Sequence, residues 1–185
     1  MGVVLPEKEA RLKILRCYLK CVDIFSERVA KGFAWLTVIL ILGMVYSTLM
    51  RYLFSKPPLW TYDLVYHCAN VMWMMGLAYV MRIKGNVSIN IFYRKLPPRK
   101  QALADIFLSL IFFWPLVFAL LYFSLIHVPF SWRLGERAVE SVIRIPIYPL
   151  KTVILVAWLM LLFQGVAELM RNVFFLATGR KLQWK

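Results

Sequence analysis

The stretch LWTYDLVYH, residues 59–67, sets an acid, Asp63, and an imidazole, His67, four positions apart at the mouth of an uncharged run that continues to Met81. As chemistry this is an acid–base pair; as architecture it is the first turns of a helix entering a bilayer. Composition favours the second reading, because 62% of the 185 residues are hydrophobic and 16% are aromatic, well above an ordinary soluble domain. Crossing ~30 Å of hydrocarbon takes roughly 20 mostly apolar residues in a helix. Outward from residues 64–81, three further runs qualify: 32–50 between Lys31 and Arg51, 106–132 between Asp105 and Arg133, and 145–167, interrupted only by Lys151. A lysine near the start of a span reaches the headgroups along its own stem. The expected fold is an all-α integral membrane protein with spans at 32–53, 62–82, 105–131 and 145–168, inside a membrane domain of residues 32–170. Residues 1–31 precede it as an amphipathic segment, and residues 171–185 follow as a basic tail.

The first span reads as a retained helix, because a long polar and basic stretch precedes it in place of a short apolar export signal. Orientation follows from lysines and arginines, which stay cytoplasmic when they lie near span ends. Seventeen fall before span 1, between spans 2 and 3, or after span 4, against six on the other side: Arg51, Lys56, Arg133, Arg137, Arg144 and Lys151. Both termini are therefore expected in the cytoplasm, and the net charge of +14 is mostly this bias. Nucleic acid is excluded as a partner, since the basic residues flank spans instead of forming one groove or motif.

Within residues 7–31, Leu12, Leu15, Leu19, Val22, Phe25 and Val29 recur at helical spacing, while Arg11, Arg16, Lys20 and Lys31 take other faces. This predicts a basic helix lying on the inner leaflet, or else one packed on a partner subunit. Cys17 and Cys21 sit four apart without a nearby His or further Cys to complete a metal set, so they read as a reduced structural pair. Cys68, inside span 2, reads as a small apolar side chain.

Pro57 and Pro58 stop the first span, Trp60 suits the outer interfacial belt, and Thr61 is the expected N-cap. Asp63 then falls in the first helical turn, where the dipole favours a carboxylate. His67, Asn70 and Met74 continue along the same face, a polar stripe that must turn toward protein. A relay from Asp63 and His67 stops at Met72, Met74, Met75, Leu77 and Val80. His127, near the outer end of span 3, falls at a similar depth to His67, and two such histidines are the pattern of a b-type haem site. The bulky Tyr66, Val71, Leu125 and Pro129 around them favour histidines hydrogen-bonded among helices instead. There is no phosphate loop, metal-binding helix or nucleophile set, so neither an enzyme nor a cofactor is expected. Thr37, Ser47, Thr48 and Gln164 are scattered polar positions, and Gly43 with Ser47 allows close helix contact.

The order RYLF (51–54), WTYD (60–63), GLAYVMRIKGNVSINIFYRKLPPRKQ (76–101), a long third span, and IYPLKTVILVAWLMLLFQGVAEL (147–169) resembles the small membrane, DctQ-like, subunit of tripartite ATP-independent periplasmic (TRAP) transporters. The resemblance covers about residues 33–172. It is carried by Arg51, Trp60, Asp63, Gly76, Arg82, the segment 85–90, Leu96 with Pro97, and Pro149 with Gln164. Family members often read Gly-His-x-x-x-Asp where this chain has Gly85, Asn86 and Asn90; with both ionisable groups missing, that segment is expected to be structural.

The resemblance implies a multi-pass scaffold in the bacterial inner membrane, associated with lipids and with a large permease subunit that imports an organic acid with sodium. A periplasmic substrate-binding protein would meet the outer loops, where Arg51, Lys56, Arg133, Glu136, Arg137, Glu140 and Arg144 are the charged contacts. Trp60, Asp63, His67, Asn70, Gly76, Arg82, Gly85, Pro97 and Gln164 would serve packing. Residues 136–144, ERAVESVIR, are expected to form a short helix with Val139, Val142 and Ile143 on its apolar side. A haem-binding or assembly subunit of another membrane complex is the alternative.

Overall fold

The computed structural model describes residues 5–56, 58–83, 97–139 and 144–179, with side chains from residue 13 onward. Among the described residues there are six α-helices: α1 (Leu5–Ala34), α2 (Leu36–Phe54), α3 (Leu59–Arg82), α4 (Pro98–Leu108), α5 (Trp114–Leu134) and α6 (Tyr148–Thr178). A π-helical turn, Ser109–Phe113, joins α4 to α5 without a break, so that 98–134 is one long helix. Four helical stretches are long and apolar enough to cross a membrane. They end where the sequence supplies left-handed caps or prolines. Ser55 (φ 52°), Gly135 (φ 58°) and Gly179 (φ 69°) close α2, α5 and α6. Pro58 and Pro97 stand just before α3 and α4.

The spans form an open row instead of a closed bundle. α2 packs on α3, α3 on α6, and α6 on α4 and α5, so the third span in sequence lies outside the fourth. α2 buries none of its residues within the chain, whereas α6 buries Ala157, Met160, Gln164, Gly165 and Ala167. Small side chains explain why α6 takes the middle: an added Cβ at Gly165 would lie 2.4 Å from Cε1 of Phe113, so the Phe113 ring occupies the space a side chain would fill. The π turn carries Phe113, and such a turn re-aims side chains within a helix. At the α2–α3 contact Gly43 plays the corresponding part, with Val65 Cγ2 3.1 Å from a would-be Cβ.

Only Trp35 separates α1 from α2, and its backbone is itself right-handed helical. α1 packs across α3 and α6, and the core of the described residues is at that crossing: Met75, Ala78 and Met160, flanked by Val29, Phe33, Val71 and Val153. The buried line of α1 keeps most of the apolar stripe expected of it, with Leu15, Val22 and Val29 half-buried, but adds polar residues and loses one aromatic. Leu19 is fully buried, but Phe25 is 57% exposed, and Asp23 and Ser26 take the inward positions. The reason is electrostatic, since the surface that α1 meets carries two arginines and a glutamine.

Candidate functional site

The imidazole at the mouth of α3 turns to the backbone of its own helix. His67 Nδ1 lies 2.8 Å from the backbone carbonyl oxygen of Asp63, its own helix four residues back, and Asn70 Nδ2 donates likewise to the carbonyl of Tyr66 at 2.9 Å. α3 begins at Leu59 with Pro58 as its cap, one turn earlier than Thr61 would start it. Thr61 is therefore not the N-cap and Asp63 is not in the first turn; both are buried within the helix, Thr61 against Gly43 of α2. The proline accounts for the shift, because its fixed φ lets it occupy the position where no N–H is needed. His67 and His127 are not brought together either: they stand on α3 and α5, with α6 between these helices, and His127 is exposed.

At the opposite end of α3 the chain builds a polar network that the sequence reading overlooked. Arg171 of α6 donates to Asp23 Oδ2 at 2.5 Å and to Glu168 Oε2 at 3.1 Å. Gln164 Nε2 donates to Asp23 Oδ1 at 3.2 Å, while Gln164 Oε1 accepts from the Ser26 hydroxyl at 3.1 Å. Arg82, at the end of α3, pairs with Glu27 Oε2 at 2.6 Å and lies 3.8 Å from Asp23, and Lys31 holds the other Glu27 oxygen at 2.6 Å. Three acids thus face three bases across α1, α3 and α6. Both Asp23 oxygens and both ends of the fully buried Gln164 amide have partners, which is the condition for keeping such groups out of water. A signal existed in the sequence: Asp23, Ser26 and Glu27 occupy adjoining positions on one helical face, and Asp23 and Glu27 are the only acids between residues 13 and 34.

The outer connection is tied down by a second set of contacts. Ser131, fully buried at the end of α5, donates to Glu136 Oε2 at 2.6 Å, and Lys151 in the first turns of α6 donates to the same oxygen. These two donors hold the Glu136 carboxyl below its usual range, the lysine contributing more. Trp132 packs on Tyr148, with ring centres 4.4 Å apart and the planes tilted by 52°, and its indole N–H donates to Thr152 at 2.9 Å. The short helix expected over 136–144 is not found in its described part. Ala138 N–H donates to Ile145 O and Ile147 N–H to Glu136 O, making a small antiparallel bridge, and Val139 is 97% exposed. Pro146 and the Lys151–Glu136 pair favour this return of the chain over a helical turn. Arg144 takes a left-handed backbone, φ 54°, as it re-enters.

Of the charged outer residues, Lys56, Arg133, Arg137 and Arg144 are exposed, as is Arg51, whose guanidinium lies 5.1 Å over the Tyr52 ring. Glu136 is committed to Lys151, and Glu140 lies outside the described residues. Trp60 stands 5.9 Å from Tyr46 of α2. Pro97 accepts from the Gln101 N–H at the start of α4. A Cβ at Gly76 would meet nothing within 4 Å, and Gly85 with its segment 85–90 lies outside the described residues.

Compared with known families, residues 40–175 match the family described as tripartite ATP-independent periplasmic transporters, DctQ component. That stretch is most of the chain of 185 residues. A comparison with curated proteins gives no match.

Proposed function

Because the chain belongs to the DctQ component family of tripartite ATP-independent periplasmic transporters, a family of transporter components and not of enzymes, we propose that it is the scaffold subunit of a sodium-driven importer of organic acids. In this reading it sits in the bacterial inner membrane with both termini inside, flanks a large permease subunit, and offers its outer loops to a periplasmic substrate-binding protein. The observation that carries the proposal is the open row of spans. An open row of spans encloses no space between its helices for an alternating-access site, but it extends a partner's wall laterally, with large apolar side chains exposed along α2 and α5. The exposed Arg133, Arg137 and Arg144 cluster at the α5–α6 connection, where rim charges set docking rate and partner choice more than affinity.

Reversing Arg133, Arg137 and Arg144 together tests the docking role. The complex with the large subunit is expected to survive, while uptake slows at limiting binding protein and recovers in part when binding protein is raised. Its salt dependence should fall as well, since the screened encounter charges have been removed. Uptake unchanged at every binding-protein concentration would show this face to be merely solvated. Topology is tested separately by single cysteines in a chain without its native ones. One at Lys56 should react with an impermeant thiol reagent from the periplasm, and one at the exposed Arg99 should not. Labelling of position 99 from outside contradicts the inside placement of the termini.

A further inference from the structure

Where α1 passes into α2, a cavity of about 310 Å³ is lined by Arg28, Val29, Gly32 and Phe33 on one side of Trp35 and by Leu36 and Ile39 on the other. Its walls are apolar except for one cation at the rim. Arg28 has no ion-pair partner among the described residues, unlike Lys31, Arg82 and Arg171, which are engaged by Glu27, Asp23 and Glu168. Trp35, at the edge of the cavity, is 75% exposed, the placement of an aromatic residue at the junction of headgroups and acyl chains. The same outward face of α1 carries Lys13, Arg16 and Lys20, all exposed, with Ile14 and Ile24 among them. The two acids between residues 13 and 34 are engaged in the ionic network, Asp23 buried against Arg171 and Gln164 and Glu27 held by Lys31 and Arg82. The face therefore combines a row of cations, apolar residues at the same level, and a slot open beside Arg28.

We infer that this cavity seats an anionic phospholipid, its phosphate against Arg28 and an acyl chain along Val29, Phe33, Leu36 and Ile39. Charge decides the class of lipid. A choline or ethanolamine headgroup carries a cation of its own that offsets the phosphate charge, whereas a glycerol headgroup leaves that charge uncompensated and attracted by Arg28. Gly32 is consistent with use of the space, because a Cβ there would meet nothing within 4 Å. The inference rests on the multi-pass membrane reading of the family, but not on which end faces the cytoplasm. A failure of topology shows in cysteine labelling, and a failure of the lipid site shows in lipid retention.

The test is native mass spectrometry of the full chain released from micelles containing phosphatidylglycerol or phosphatidylcholine of identical acyl chains. Retention of phosphatidylglycerol is expected to exceed that of phosphatidylcholine by about fivefold, the scale of one basic contact to an anionic lipid. Arg28→Gln should abolish the preference, while Arg28→Lys keeps it, which separates loss of charge from loss of fold. Gly32→Leu should fill the slot and lower retention of both lipids, and Lys13→Gln should leave the preference intact. Equal retention of the two lipids by the unaltered chain would assign the basic face to an acidic protein partner and overturn the inference. So would a preference that persists in both Arg28→Gln and Gly32→Leu.

Discussion

Replacing Arg171 with methionine is expected to destabilise the protein by about 3 kcal/mol, the low end of the range for breaking a buried ion pair from one side. The Asp23 side chain is 10% exposed and that of Arg171 16%, so removing the guanidinium leaves a carboxylate with little access to water. The low end applies because Gln164 still donates to Asp23 and Arg82 remains 3.8 Å away. The loss should be directional: α1 detaches before the spans separate. Limited trypsin digestion at the exposed Arg16 and Lys20 is therefore expected to accelerate in the variant, together with a lower unfolding midpoint in detergent. The exchanged pair, Asp23→Arg with Arg171→Asp, should recover part of both readouts. A variant that resists trypsin and unfolds like the parent would show that the network does not anchor α1.

Gly165→Val is expected to cost about 1–3 kcal/mol, the usual range for forcing extra carbon into a packed contact. The first added atom alone would stand 2.4 Å from Cε1 and 2.9 Å from Cζ of Phe113. Because the opposing group is a side chain and not backbone, Phe113→Ala in the same chain should restore much of the loss. The coupling between the two substitutions should then be clearly non-zero in a double-mutant cycle. Additive effects would mean that α5 and α6 are held elsewhere. Gly43→Ala at the α2–α3 contact, where the tightest approach is 3.1 Å, should be milder.

The four apolar runs, bounded by Lys31, Arg51, Asp63, Arg82, Asp105 and Arg133, were enough by themselves to determine an all-helical membrane chain, because the energy of placing charge or unpaired backbone in hydrocarbon leaves no other structure of that length. The residues of LWTYDLVYH likewise announced the start of a span, though only the folded structure showed that Pro58 opens it and that His67 turns back on its own helix. The order of the helices was not legible. That α6 lies between α3 and α5 depends on Gly165 meeting a Phe113 that a π turn aims at it, a contact between residues 52 positions apart with no local signature. The course of α1 was hidden for a related reason. Periodicity weighs apolar residues and places Asp23 on whichever side is left over, but the free energy of this surface is set by Arg82, Gln164 and Arg171, which come from helices distant in sequence. Only when those three groups converge do Asp23 and Ser26 turn inward beside Leu19.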